Sequence, residues 1–358
     1  MRSKAFFING GAGRVITSIP ALEKYAETHD DFIIVCEGGM NFYKAHPTLH
    51  KHAYDNWHKN LFEDQIKHRD CVTPEPYRRW HYYNQQCSIA QGFDMEINGV
   101  EEPRELPKPT IKIAKHEAIQ GLQLVDEAIK VTGKEKVIVV QPFGRGVQDN
   151  GGYIFDPTSR SFNLGDISKI INELKKDYCV IVMSEFPFQT EEDESDQPFI
   201  LPQIQDIRIW ASIIGRADHF LGCDSVGQHI AKAVDTSVTA VIGSTYPINI
   251  SYPEDPNFDI IDLGEDKRNF SPIRLTMEDY ADYQNDECMS MTEDDIRSNM
   301  KNENASFQIN WNNEKNDMVM YCWWKANSPD AIIETLGEMA NMFENDIKEM
   351  PNIMNVSD

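Results

Sequence analysis

An α/β fold with two parallel sheets is the class this sequence predicts, on three observations. Short apolar runs alternate with segments of helical periodicity along most of the chain. Val137 to Val140 is a continuous apolar run, the pattern of a strand buried on both faces of a parallel sheet. At 358 residues the chain is long for one core and natural for two.

The elements follow in order. Lys4 to Asn9 predicts a strand, Gly10-Gly11-Ala12-Gly13 a turn, Val15 to Thr28 an amphipathic helix carrying Pro20, and Asp31 to Glu37 a second strand. The three prolines between Pro103 and Pro109 mark a connection, and Ile119, Leu122, Val125 and Ile129 space Lys115 to Val131 as a helix. A second half begins at Lys136. After Val137 to Val140 come a helix at Ile167 to Lys175, a strand at Tyr178 to Met183, a helix at Ile207 to Gly215, a strand at His219 to Gly222, a helix at Gly227 to Val234 and a strand at Ser237 to Gly243. Past Asp262 the pattern weakens into polar, acidic sequence. Ser328-Pro329-Asp330 then looks like an N-cap with proline at the first helical position, opening a helix with Ile332, Leu336, Met339 and Phe343 on one face. The expected domains are 1–133, 134–300 and a tail, 301–358, whose helix packs back on the first domain.

No run of about eighteen apolar residues predicts a membrane span, and MRSKAFFINGGAGR enters a strand directly, so a soluble, cytoplasmic protein is expected. Seven cysteines without a Cys-x-x-Cys pair argue against a disulfide framework and a zinc site; Cys36, Cys179 and Cys223 fall in or beside strands as small core residues. The formal charge of −24 counts against a nucleic-acid partner, but it is unevenly spread. Glu191 to Glu194 and Glu293 to Asp295 are acidic runs in the second half. Segment 44–83 instead interleaves basic residues such as Lys44, His52, Lys59, Arg69, Arg78 and Arg79 with Tyr54, Trp57, Phe62, Tyr77, Trp80 and Tyr83. Two readings stand side by side: a phosphate- and base-binding surface for DNA, or an irregular helical insertion whose aromatics fill a small core.

The richest stretch is Asp218 to Pro247. A strand ends in Cys223-Asp224-Ser225, a helix opens at Val226-Gly227 with His229 in its first turn, and the next strand ends in Gly243-Ser244-Thr245-Tyr246-Pro247. Asp-Ser at a helix start is often a plain N-cap, yet a helix opened straight after a strand also aims free N–H groups and a positive dipole end above the sheet, which suits a diphosphate. Earlier, Gly11 and Gly13 follow the first strand and Glu37 ends the second, a partial dinucleotide-binding pattern that lacks its third glycine, Ile16 standing there.

The Asp224-to-Pro247 pattern resembles the donor-binding signature of glycosyltransferase family 9, the heptosyltransferase-like enzymes, which reads roughly Asp-Ser/Thr-Gly-x-x-His followed by a Gly-x-Thr-x-Pro loop. The resemblance covers about two thirds of the chain. It implies a GT-B fold, in which two Rossmann-like domains face a cleft and the last helix crosses back. It also implies an inverting transfer from a nucleotide sugar, bound by the second domain, to an acceptor hydroxyl. Carried over, Asp224, Ser225, Val226, Gly227 and His229 fall on the diphosphate turn, with Val226 where the family has glycine. Gln141 and Gly144 match the loop after the first donor-domain strand, Arg160 becomes a phosphate cation, and Ser244 and Thr245 lie on the following loop; Gly11 and Gly13 stand opposite.

Aligning Pro20-Ala21-Leu22 on the family's Pro-x-Leu puts Arg14 where the family's general-base aspartate stands, and arginine cannot accept a proton. Either the base is another carboxylate, Glu37 or Asp94 in the loop Gly92-Phe93-Asp94, or Arg14 serves a leaving group or an acceptor phosphate. No Asp-x-Asp occurs in the chain, which favours a metal-independent reaction without a cofactor. The Asn-, Asp-, Lys- and Met-rich style is similar to enzymes of tailed phages, acting in the host cytoplasm, and GT-B members there glycosylate hydroxymethylcytosine in DNA. Synthesis of lipopolysaccharide or another glycan is the alternative acceptor chemistry; an NAD-dependent dehydrogenase and a non-catalytic nucleotide-sugar-binding protein are the other classes. Donor identity and oligomeric state are not legible.

Overall fold

β1 (Lys4–Ile8) and β2 (Phe32–Cys36) pair in parallel, Lys4 beside Phe32 and Ile8 beside Cys36, with α1 (Ala12–Ala26) as the crossover between them. All five residues of β2 are buried, as a strand covered on both faces requires. A short α2 (Asn41–Lys44) leads to β3 (Ala53–Asp55), and β4 (Asp70–Val72) follows a wide helical turn at Phe62–Ile66. β3 joins β2 and β4 joins β1, giving a parallel sheet in the order β3-β2-β1-β4. Segment 44–83 is therefore not a helical insertion, since it supplies two strands of this sheet. α3 (Trp80–Tyr83) and α4 (Ile89–Asn98) complete this half. α4 starts at a Ser88–Gln91 capping box and stops at Gly99 in the left-handed conformation (φ 67). Asp94, expected in a loop, lies on α4 because that box extends the helix across Gly92-Phe93-Asp94.

The computed structural model describes residues 3–144, 146–149, 154–156, 158–190, 197–266, 268, 303–313, 316–336 and 347. In the second half α5 (Lys115–Thr132) precedes β5 (Val137–Gln141), and β6 (Gln148–Asp149) with β7 (Ile154–Phe155) forms a small antiparallel ribbon. Then come α6 (Leu164–Leu174), β8 (Cys179–Val182), α7 (Ile207–Ile214), β9 (His219–Cys223), α8 (Val226–Val234), β10 (Val238–Ile242), α9 (Pro247–Ile250) and β11 (Phe258–Asp262). The sheet is parallel throughout, in the order β11-β10-β9-β5-β8. Cys36, Cys179 and Cys223 are buried free thiols.

Phe6, Ile19 and Phe93 from the first half and Val139, Trp210 and Ile230 from the second belong to one continuous apolar core. Asn249 adds a polar tie: its Nδ2 donates to the carbonyls of Tyr82 and Cys87, each at 2.8 Å. By its contacts the chain divides into compact units at 1–273 and 274–358, the first holding both parallel sheets, which share a core. In the second unit β12 (Ala305–Asn313) and β13 (Asn316–Ala326) form an antiparallel hairpin where only polar tail was expected. α10 (Pro329–Leu336) packs on both of its strands, and Ser328 Oγ accepts the Ala331 N–H as the N-cap. Met339 and Phe343 lie outside the described residues.

Candidate functional site

Each sheet has one place where consecutive connections leave in opposite directions, and crevices form there beyond the carboxyl ends of the strands. In the second sheet it lies between β5 and β9, whose ends meet as Gln141 beside Gly222. In the first it lies between β1 and β4. The two crevices adjoin: a Cβ built on Gly13, in the first turn of α1, would sit 3.5 Å from the His229 ring and 3.9 Å from Val226 Cα, in the first turn of α8. Gly11 caps α1 without a side-chain hydrogen bond, no acidic residue lies in that first turn, and Ser225 likewise begins α8 without capping it. Two positive helix ends thus converge on one seam, an arrangement that favours an anion between them.

Around that seam, most of the expected donor-side residues hold loops rather than face outward. Gln141 Oε1 accepts the Gly227 N–H at 2.8 Å, and its Nε2 donates to Ser225 Oγ at 3.1 Å. The Gly144 N–H goes to Ser161 Oγ, Ser244 Oγ donates to the Thr158 carbonyl, and Thr245 Oγ1 donates to Asp224 Oδ2 at 2.8 Å. Asp224 is buried beneath the turn, and burial raises its pKa against the opposing pull of Arg160 and Thr245. These residues shape the turn. Ser225 Oγ keeps its own proton to donate, Arg160 bonds Thr158 Oγ1 through Nε and the Asp224 carbonyl through Nη1, and among the described residues neither the Val226 N–H nor Arg160 Nη2 has an acceptor. Val226 stands where the resembled pattern has glycine; the tight position in this turn is Gly227, where a Cβ would lie under 3 Å from the Phe220 ring and Gln141 Oε1.

His229 is buried with Nδ1 2.9 Å from the Tyr252 hydroxyl, and burial lowers its pKa to about 4. It is a neutral imidazole at pH 7, a hydrogen-bonding group rather than a cation.

The first-half candidates separate. Asp94 is buried, with Oδ2 bound by Arg104 Nε at 2.6 Å and Oδ1 by Arg104 Nη2 and Asn98 Nδ2, so its lone pairs hold the connection after α4 and are not offered to an acceptor. Arg14 points inward: Nη1 donates to Glu75 Oε1 at 2.7 Å, Nη2 to the Pro74 carbonyl at 2.9 Å, and its guanidinium lies 5.0 and 5.1 Å from the Tyr77 and Phe93 ring centroids. Glu37 is exposed just past β2, and Gly38 after it approaches the Gly10 carbonyl. Glu75 and Tyr252 are the residues that sequence reasoning missed; neither lies in a motif, and only strand order and loop closure bring them here.

Several basic residues of 44–83 have partners within the fold. His46 pairs with Glu23, His52 stacks on Phe32 at 4.0 Å, Lys67 pairs with Glu63, Arg69 with Asp31, Arg79 with Glu96 and His81 with Glu102. Tyr43, Tyr77 and Tyr82 are core residues. Among the described residues no group of three or more His, Cys, Asp or Glu side chains is placed to hold a metal ion, and no described helix is long and apolar enough to cross a membrane.

No protein-family model and no curated protein matches this sequence. Solved structures do match its fold. A glycosyl transferase family 9 protein from Veillonella parvula DSM 2008 aligns at 11% identity with a TM-score of 0.51, over 73% of this chain and 86% of that one. E. coli ADP-heptose LPS heptosyltransferase II aligns at 10% identity and 0.51, over 72% and 90%. The iron-containing dodecameric glycosyltransferase TibC from enterotoxigenic E. coli H10407 gives 11% and 0.50, over 76% and 66%. At such identities the likeness concerns architecture, and the two Rossmann-like parallel sheets of this chain form a fold of the GT-B kind.

Proposed function

We propose that this protein is an inverting glycosyltransferase that moves a sugar from a nucleoside diphosphate sugar to an acceptor hydroxyl. The observation that carries the reading is the convergence of the N-termini of α1 and α8, neither capped by its own N-cap side chain, beside Arg160. Each end is equivalent to roughly half a positive charge, so the pair repels unless an anion lies between them. A diphosphate matches that demand: the Val226 N–H, the Ser225 hydroxyl and Arg160 Nη2 would bind it and stabilise the charge released as the sugar departs. Neutral His229 would add a hydrogen bond. Arg160 and the helix ends supply the positive charge here, which supports a metal-independent reaction.

A glycan acceptor, the chemistry of heptosyltransferase-like enzymes, is the reading we favour over DNA, because five basic side chains of 44–83, those of His46, Lys67, Arg69, Arg79 and His81, are paired with carboxylates within the fold. The dehydrogenase reading loses ground for a different reason: the third glycine of the dinucleotide-binding pattern is missing, Ile16 standing in its place.

The test is thermal denaturation of the full chain with ADP, UDP, GDP, their sugars and NAD. A ligand at about 100 times its Kd stabilises by about 2.7 kcal/mol, a rise of several degrees. One nucleoside diphosphate is expected to give this shift, and Arg160→Ala to weaken its affinity about 10- to 100-fold through loss of a charge-assisted hydrogen bond. A response to NAD alone, or to no nucleotide, refutes the proposal.

A further inference from the structure

Of the carboxylates raised for the site, Asp94, Asp224 and Asp156 are disqualified as a proton acceptor by what they touch, and Glu37 by its position. Asp94 is enclosed by Arg104 and Asn98. Asp224 is buried under Thr245 and Gln228. Asp156 accepts from Thr158 and Ser161 through both oxygens. Glu37 is exposed beyond β2, on the side of β1 away from the first-sheet crevice, and no described residue orients it.

Glu75 differs on each count. It follows β4, at the β1/β4 crevice itself. Its side chain is 26% exposed, and Oε1 is fixed by Arg14, whose own side chain is 4% exposed and clamped between Tyr77 and Phe93. Oε2 takes no hydrogen bond from any described residue. Gly13, next to Arg14, lies close to the donor side, since a Cβ built on it would sit 3.5 Å from His229 Cδ2, and Tyr77, one of the rings that clamp Arg14, is buried with its pKa raised by that burial. A carboxylate with one oxygen anchored and the other open, at the seam of the two crevices, has the geometry that general-base catalysis requires.

We propose that Glu75 is the catalytic base and that Arg14 is its positioning residue. The inference rests on the transferase reading above. Glu75 Oε2 takes the acceptor O–H proton as that oxygen bonds to the anomeric carbon; the bond from that carbon to the diphosphate oxygen breaks, and its electron pair leaves with the nucleoside diphosphate.

The experiment measures nucleoside diphosphate release from ADP-, UDP- and GDP-sugars, with water as acceptor, alongside the nucleotide-induced melting shift. Wild type is compared with Glu75→Gln, Glu75→Asp, Glu37→Gln, Arg14→Lys, Arg14→Met and the double variant Arg14→Met/Glu75→Gln, which spares Arg14 a buried, unpaired charge if Glu75→Gln alone folds poorly. Expected for Glu75→Gln and for the double variant is a fall in kcat of about 100-fold or more with the nucleotide shift retained, and partial activity for Glu75→Asp. Arg14→Lys should keep more kcat than Arg14→Met at unchanged donor KM, which a merely structural role would not produce. Release within about threefold of wild type in folded Glu75→Gln overturns the inference, and a loss in Glu37→Gln instead names the other base. Nucleotide binding without release by wild type overturns this inference alone. Absence of any nucleotide response overturns the transferase reading and the inference with it.

Discussion

Replacing Gly227 by alanine tests how the anion-binding turn is built. A Cβ there would lie 2.7 Å from Phe220 Cε2 and closer still to Phe220 Cζ and Gln141 Oε1. Phe220 is fully buried, so Gln141 must give way, and with it go its bonds to the Gly227 N–H at 2.8 Å, Ser225 Oγ at 3.1 Å and the Phe143 carbonyl at 3.3 Å. Each neutral hydrogen bond is worth about 1 kcal/mol and overpacking costs about 1–3 kcal/mol, while the gain in helix propensity is at most about 1 kcal/mol. The clash wins, with a net destabilisation of about 2–4 kcal/mol, or roughly 5–15 °C for a unit of this size. The nucleotide response should weaken as well, because the same Gln141 bonds orient Ser225. Gly13→Ala is the control, since its Cβ meets only ordinary contacts, 3.5 Å from His229 Cδ2. Thermal and urea denaturation with and without nucleoside diphosphate measures both effects. A Gly227→Ala protein that melts within about 2 °C of wild type and keeps its nucleotide response would refute this account of the turn.

Two further predictions concern pH and stability. His229 has a folded pKa of about 4 against an unfolded value near 6.5, so its contribution is complete above about pH 6.5 and is lost as pH falls toward 4, on the order of 3 kcal/mol in all; His229→Gln should flatten that part of the stability–pH curve, and an unchanged slope would contradict the burial argument. Glu117 and Arg208 form a buried bidentate pair at 2.6 and 2.7 Å. Burial pushes the Glu117 pKa up, but Arg208 and the Ala114 N–H outweigh it and hold it low, so the pair stabilises above the ordinary carboxylate range and fails as pH drops through the folded value. Glu117→Gln should cost about 3–5 kcal/mol in urea denaturation at pH 7, and Arg208→Met in the same chain should recover much of it.

The strands and helices of the second sheet were legible because they are long enough for periodicity to show: Val137–Gln141 is wholly apolar before its last residue, and Ile207–Ile214 repeats at helical spacing. β3 and β4 were not, since Ala-Tyr-Asp and Asp-Cys-Val are too short to alternate and become strands only by pairing with β2 and β1. The same distinction holds at the site. The turn at Asp224-Ser225 was visible as a local pattern, because a strand-to-helix turn is a contiguous device. Which of its groups face a ligand was not, because Asp224, Ser244 and Thr245 choose partners 21 to 86 residues away in sequence.

By itself, then, the sequence determined the α/β class, the parallel second sheet and the helix start that favours an anion, all of which follow from neighbouring residues and their periodicity. Only the tertiary structure decided that Asp94 belongs to Arg104, that Arg69 of 44–83 pairs with Asp31 and Arg79 with Glu96, and that Arg14 reaches Glu75 across 61 positions of sequence. Those outcomes depend on strand order. A parallel sheet brings the loops after β1 and β4 together at one end, and the charge that each side chain meets there is set by the loop beside it in space, not by the residue beside it in the chain.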